Sequence, residues 1–194
     1  YEGIAFHRVL EGFVAQGGNS KAVNLSESDS VGLETELRWR WQALHGMLNL
    51  SLQRTAALVA AHLRTLGIEV QENVGGIPGV VGVLKGGKPG PTVALRADMD
   101  ALPVTELVDV PYKSTVRTVY NGQETGVMHA CGHDGHTAIG LTVAKMLHAH
   151  RAQLAGTIKF CFQPSEEGNN GEEIGGAEMM MRDGVLDHPK VGMA

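Results

Sequence analysis

One stretch of eleven residues, 127–137, brings several possible metal ligands close together in sequence. It reads Val-Met-His-Ala-Cys-Gly-His-Asp-Gly-His-Thr. Thiolate and imidazole are ligands that a borderline-soft ion such as Zn²⁺ prefers. Cys131 and His133 are two positions apart, so both would project to the same side of an extended strand, and the glycines allow a tight turn. The stretch predicts a metal site; the alternative is a buried Cys beside scattered, hydrogen-bonded histidines.

Composition limits the classes of function. Apolar residues make up 43% of the 194 residues, which is enough for a core, and the net charge of -5 without a basic stripe argues against nucleic acid as a partner. No apolar run approaches the roughly 20 residues that span a bilayer, and no signal-peptide pattern is present. Two cysteines, Cys131 and Cys161, do not form a disulfide framework. We therefore expect a cytoplasmic protein with neither nucleic-acid nor membrane partners.

The two ends of the chain favour a piece of a longer protein. The sequence lacks an initiator Met, and residues 191–194 lie in an apolar run without a stop pattern. We accordingly expect further residues on both sides.

The first residues differ in character from the rest. Residues 1–19 alternate apolar and polar side chains and resemble the cyclophilin peptidyl-prolyl isomerase signature. That resemblance implies a catalytic role for Arg8 and places Phe13 and Gln16 in a proline pocket. A cyclophilin is a closed barrel, however, and a barrel cannot close on one hairpin. We expect a fused cyclophilin-like fragment rather than an isomerase, followed by a Ser-rich linker at 20–36.

The remaining sequence alternates helical and strand patterns. Spacings of three and four residues between apolar positions predict helices, and short β-branched runs predict strands. Helices are expected at about 35–48, 51–66, 134–150 and from 176 to 182, and strands at 79–85, 92–96, 128–132 and 157–162, with a loop over 105–125. Ser51 is the expected N-cap of the second helix and Gly67 its C′ residue, and the first two strands should form a hairpin. This alternation predicts an α/β fold with a mixed sheet and a site at the strand ends.

Two acidic pairs directly follow predicted strands. Asp98 and Asp100 share one side by the period-two rule, and two acids at a strand end are unfavourable unless they hold a cation or its ligands. Glu166 and Glu167 diverge if the backbone is not helical, so that one could bind a metal while its neighbour faces substrate and water. Metal-assisted hydrolysis needs both an ion that acidifies water and a carboxylate that carries its proton. The alternative for each pair is a solvated turn.

Three blocks then carry a family resemblance. Residues 95–103, 128–136 and 162–168 resemble the signature blocks of a metal-dependent amidohydrolase family within the zinc carboxypeptidase and aminoacylase superfamily. The family includes hippurate hydrolase, N-acyl-amino-acid amidohydrolase and indole-acetyl-amino-acid hydrolase. The resemblance implies an αβα zinc-peptidase-like catalytic domain with a mixed sheet, of which residues 37–194 are only the N-terminal portion, with the lid domain absent.

The resemblance also implies roles and substrates. Cys131, His133 and Glu167 are similar to the ligands of one or two divalent ions (Zn, Mn, Co or Ni). Glu166 is similar to the general acid/base, and Asp100 to the acid that orients a ligand. The implied reaction is hydrolysis of the amide bond of N-acyl amino acids or related small amides, by an enzyme that is a homo-oligomer at full length.

The sequence also departs from the family pattern. The remaining ligand histidines of the family would lie beyond Ala194, and Asp98 stands where many relatives in the wider superfamily carry a ligand His. The alternative to an enzyme is therefore a non-catalytic fused or truncated remnant. His129 is expected either to orient a ligand or to pack in the core. His136 is expected to form a hydrogen bond at the start of its helix, with a role as a metal ligand as the alternative. Cys161 is expected to be a small buried hydrophobe.

Overall fold

The computed structural model describes residues 48–120, 123–167 and 174–194. The predictions made for residues 1–19, for the linker at 20–36 and for most of the first helix lie outside these residues. Of the helices within the described ranges, none combines the length and the apolar character that a membrane crossing needs.

A four-stranded mixed sheet organises the fold, with strand order β1-β2-β6-β3. β2 is antiparallel to both β1 and β6, whereas β3 and β6 are parallel. A separate antiparallel hairpin consists of β4 and β5. The strands are β1 (Glu69–Val74), β2 (Gly79–Lys85), β3 (Lys88–Asp98), β4 (Arg117–Tyr120), β5 (Gln123–Gly126) and β6 (Ala155–Gln163).

Helices cover both faces of the sheet, which confirms the predicted α/β fold with a mixed sheet. They are α1 (Leu48–Thr65), α2 (His133–Ala149) and α3 (Gly176–Arg182), and a short 3₁₀ turn (Arg151–Gln153) follows α2. Successive side chains of a strand point to opposite faces, so two apolar clusters form. The cluster under α1 and α2 includes Leu52, Val59, Leu63, Val80, Leu84, Leu141, Ala144, Phe160 and Phe162. The cluster under α3 contains Val74, Val81, Val83, Ala94, Cys161, Met180 and Val185.

The end of α1 is as predicted, but Ser51 does not cap its start. Gly67 has a φ of +68°, and Ile68 donates its N–H to the Leu63 carbonyl at 3.1 Å while Gly67 donates to Arg64 at 2.9 Å. These two bonds form a Schellman motif. Ser51 lies inside α1, since a serine is tolerated within a helix and does not by itself end one.

The predicted hairpin between 79–85 and 92–96 is wrong. β6 lies between β2 and β3 and pairs with both. Its last five residues are buried, so the central position removes more apolar surface from water than an edge position would. β2 instead forms its hairpin with β1, a mostly exposed edge strand that the apolar pattern did not reveal.

Two predictions between residues 105 and 132 also need correction. The expected loop at 105–125 contains the β4–β5 hairpin; the Asn-Gly dipeptide between the strands is a strong hairpin signal that could have revealed it. The expected strand at 128–132 is reduced to a single bridge between Met128 and Leu102. The chain bends at 130–131 and then enters α2.

Lys159 is buried on the α3 side of the sheet. It is 1% exposed, and its Nζ donates a 2.6 Å hydrogen bond to the Val185 carbonyl. Burial lowers the pKa of Lys159 below its ordinary value of 10.5. The folded protein therefore binds fewer protons than the unfolded chain between the lowered pKa and the ordinary one, and its stability should rise with pH across that window.

Lys159→Met should reveal this dependence. The free energy of unfolding of the variant minus that of the parent should fall as the pH rises towards 10.5, the ordinary pKa of lysine, because only the parent gains stability below that value. Urea unfolding at several pH values measures the difference. Lys85→Met is the matched control, because the Lys85 side chain on β2 is 66% exposed. A difference that does not change with pH would contradict burial of the charge as the cause.

Gly176, the first residue of α3, contacts the segment that carries the two glutamates. A Cβ on Gly176 would lie 1.8 Å from the Pro164 carbonyl oxygen, whereas a Cβ on Gly175 would come no closer than 3.7 Å to the Ser165 carbonyl. Of these two positions, Gly176 is therefore the one where the absence of a side chain allows the helix to approach the Pro164 carbonyl closely.

Gly176→Ala should destabilise the fold by about 1–3 kcal/mol, the usual effect of overpacking. Gly175→Ala should change the free energy of unfolding by less than about 0.5 kcal/mol. Denaturant unfolding of the two variants tests the contact. Equal effects at the two positions would contradict it.

Candidate metal centre

The parallel pairing of β3 and β6 brings the two acidic pairs to one edge of the sheet. Asp98, the last residue of β3, is in register with Gln163, the last residue of β6. The next backbone N–H, that of Met99, donates to the Gln163 carbonyl at 2.8 Å. The segments that carry Asp100 and Glu166 therefore leave the sheet side by side.

A turn at Gly132 brings His133 to the same edge. Gly132 precedes α2 with a φ of 97°, a left-handed conformation that favours glycine. His133 is the first residue of the helix and is 2% exposed. Cys131 and His133 therefore come together through a turn into a helix, and the extended strand assumed from their spacing is wrong.

The His133 ring lies among four carboxylates. Its Nδ1 is 3.0 Å from Asp100 Oδ1. Its Nε2 is 3.7 Å from Asp98 Oδ1 and 3.7 Å from Glu166 Oε2, and 3.8 Å from Glu167 Oε1. Because a carboxylate accepts hydrogen bonds, Nδ1 carries the hydrogen and Nε2 is available as a ligand. Burial lowers the pKa of His133, but the Asp100 hydrogen bond and the nearby carboxylates outweigh this effect and raise it.

Asp100 connects the three segments. Its Oδ1 accepts from the His133 ring, its Oδ2 accepts the Glu167 backbone N–H at 3.0 Å, and its backbone carbonyl lies 3.0 Å from His129 Nδ1. Burial would raise the pKa of Asp100, but the hydrogen bonds from His133 and Glu167 outweigh burial and leave the pKa lowered. His129 thus contacts the backbone carbonyl of the residue that holds the His133 ring.

One set of three side chains fits a divalent cation. Cys131, His133 and Glu167 each offer a ligand atom, and these atoms lie within 4.8 Å of one another. A thiol, an imidazole and a carboxylate are the donor types found at zinc and similar ions. The hydrogen bond with Glu167, then burial and the surrounding carboxylates, raises the pKa of Cys131 to about 11. A cation at this point would offset that concentration of negative charge.

The ligand atoms of a second set, Asp98, His133 and Glu166, also lie within 4.8 Å of one another. Both Asp98 oxygens are already engaged, however. Oδ1 lies 2.5 Å from His136 Nδ1, and Oδ2 lies 3.2 Å from the Arg96 guanidinium. These partners lie outside the set, whereas the hydrogen bond between Cys131 and Glu167 joins two members of the first set, so the first set fits an ion better.

Sequence reasoning missed Arg96 and Gln163. Besides its contact with Asp98, Arg96 donates from Nε to Gln163 Oε1 at 2.5 Å, and it thereby joins the ends of β3 and β6. The period-two rule could have revealed Arg96, because it lies two residues before Asp98 on the same face. Cys161 is 8% exposed within an apolar cluster, which confirms its prediction as a small buried hydrophobe.

Comparisons with known proteins identify relatives of this chain. Thermostable carboxypeptidase 2 of Saccharolobus solfataricus is 50% identical over 133 residues, which make up 69% of this chain and 31% of that protein. Hippurate hydrolase of Campylobacter jejuni is 46% identical over 133 residues, which make up 69% of this chain and 30% of that protein. The YXEP protein of Bacillus subtilis, described as a dinuclear metal binding peptidase, has a TM-score of 0.67 and 35% identity, and the match covers 81% of this chain and 41% of that one.

The chain spans about a third of the length of the curated relatives that it matches. Peptidase family M20/M25/M40 matches residues 94–194, a range that contains the three segments of the candidate metal centre. On this match, and on the shared fold, the chain belongs to peptidase family M20/M25/M40.

Proposed function

We propose that this chain carries the metal-binding and proton-transferring part of a hydrolase that cleaves the amide bond of N-acyl amino acids or related small amides. The observation that carries the proposal is the convergence of a thiol, an imidazole and two glutamates at one sheet edge. Relatives named as a hippurate hydrolase and a carboxypeptidase support the amide bond as the target.

The proposed ligands are Cys131, His133 and Glu167, which would hold a divalent ion such as Zn, Mn, Co or Ni. These residues would give the site a Lewis acid, the chemistry that polarises a carbonyl group and makes water more acidic. Asp100 holds the His133 ring by its Nδ1 and the Glu167 backbone by its N–H. It would thereby fix the direction of two ligands before any ion arrives.

Glu166 is the proposed general acid/base. Its carboxylate lies 3.7 Å from His133 Nε2, and its side chain is 41% exposed, so it borders the ligand atoms and also reaches solvent where a substrate would enter. It would accept a proton from the attacking water and deliver that proton to the amide nitrogen as the C–N bond breaks.

The proposed partners are small N-acyl amino acids rather than nucleic acids or membranes. The net charge of -5 is consistent with this choice. Cytoplasmic location and assembly into a homo-oligomer belong to the same proposal.

Metal-dependent hydrolysis is the direct test. The chain loaded with Zn²⁺, Mn²⁺ or Co²⁺ should release glycine from benzoylglycine, and a chelator should abolish the release. Glu166→Gln should lower kcat by about 10²–10⁴-fold, because the amide cannot carry the proton. Glu124→Gln, on an exposed strand, is the control. A metal-loaded parent without activity would contradict the function, and a Glu166→Gln variant within a few-fold of an active parent would contradict the role.

Asp100→Asn should weaken metal binding by about 10–100-fold. His133 and Glu167 donate to different oxygens of Asp100, and in Asn an NH2 group, itself a donor, replaces one of those oxygens and faces one of the two N–H groups. Competition with a chromophoric chelator measures the affinity for Zn²⁺. Asp109→Asn is the matched control, because the Asp109 side chain is fully exposed. Equal affinities of the two variants would show that Asp100 does not orient the ligands.

A further inference from the structure

His136 is held in a fixed orientation beside the candidate metal centre. Its Nδ1 is 2.5 Å from Asp98 Oδ1. Its ring stacks on that of His133, with the centroids 5.8 Å apart and the planes inclined by 20°. The His136 side chain is nevertheless 56% exposed. An exposed side chain that is restrained by two contacts is prepared to meet a partner from solvent.

The contact with Asp98 determines which ring nitrogen of His136 is an acceptor. Asp98 Oδ2 lies 3.2 Å from the guanidinium of Arg96, which only donates hydrogen bonds, so the Asp98 carboxylate accepts on that side and offers Oδ1 as an acceptor to His136. Nδ1 of His136 therefore carries a hydrogen. In the neutral imidazole Nε2 is then the acceptor nitrogen.

Asp98 also places His136 next to the proton-transferring group. The Asp98 oxygen that contacts His136 is 3.7 Å from His133 Nε2, and the ligand atoms of Asp98, His133 and Glu166 lie within 4.8 Å of one another. The contact between His136 and Asp98 therefore joins the His136 ring to this group of side chains. An amide nitrogen that receives a proton from Glu166 must come to the same place.

We propose that His136 is a specificity-determining residue whose Nε2 accepts the N–H of the scissile amide. The site would then prefer secondary amides, which have that N–H, to tertiary amides such as N-acylsarcosines, which lack it. This inference rests on the proposed hydrolysis of N-acyl amino acids and adds the substrate class. Nε2 of His136 would matter for substrate affinity, because an amide N–H of the substrate that loses water without gaining an acceptor weakens binding.

A binding experiment without turnover tests the inference. The probes are benzoylglycine and benzoylsarcosine, which differ by one methyl group on the amide nitrogen. Their Kd values are measured by calorimetry on the Zn²⁺-loaded chain carrying Glu166→Gln, with and without His136→Asn. The Asn side chain can keep the bond to Asp98, because its amide N–H takes the place of Nδ1–H, but it has no outer nitrogen. His148→Asn, on the same helix, is the matched control.

With His136 present, benzoylglycine should bind about five- to tenfold more tightly than benzoylsarcosine, the effect of one hydrogen bond. In the chain that carries His136→Asn, benzoylglycine should bind more weakly, so that the ratio of the two Kd values approaches one. The affinity for Zn²⁺ and the thermal unfolding midpoint should stay unchanged. His148→Asn should preserve the ratio.

Two results of the binding measurements would overturn the inference: a ratio of Kd values that His136→Asn leaves unchanged, or equal binding of the two probes with His136 present. A loss of Zn²⁺ affinity in the His136→Asn variant would also overturn it, because His136 would then act through Asp98. Failure of the proposed function has a different signature, because the metal-loaded parent with native Glu166 would then not hydrolyse benzoylglycine. A parent that hydrolyses the substrate but has an unchanged ratio contradicts only the inference about His136.

Discussion

The parallel pairing of β3 with β6 is the constraint on which the candidate site depends. Parallel strands end at the same edge of a sheet, so the register of Asp98 with Gln163 delivers two acidic segments to one place. Arg96 strengthens this junction by contacting both strand ends. A shift of one residue would turn the Asp98 side chain to the opposite face of the sheet.

The carboxylates at this edge have different surroundings, and the surroundings separate their roles. Asp98 and Asp100 are both buried, but Asp98 is held by a guanidinium and an imidazole, while Asp100 accepts from a ring and a backbone N–H. Glu166 and Glu167 remain partly exposed. The buried acids therefore have their hydrogen-bond partners within the protein, whereas the two glutamates can respond to an ion or a substrate.

The sequence predicted the site better than the sheet. Thiol, imidazole and carboxylate side chains are recognisable locally, so Cys131, His133, Glu166 and Glu167 could be singled out as candidates without a fold. Strand order depends on which strand buries the most apolar surface in the centre of the sheet. Predicting it requires a comparison of strands that are far apart in the sequence. The hairpin expected between 79–85 and 92–96 was wrong for that reason. The contact between His136 and Asp98 was also not predictable, because it joins residues 38 positions apart.

The central place of β6 has a consequence for the order in which the chain is made. β1 and β2 are neighbours in sequence and can pair as soon as both have left the ribosome, but β2 and β3 share no ladder. Their facing edges stay unpaired until Gln163 has been synthesised, and each exposes backbone groups that could pair with another chain. Synthesis of the segment between β3 and β6 therefore sets a period in which this protein is vulnerable to aggregation, and a chaperone that shields strand edges would act during that period.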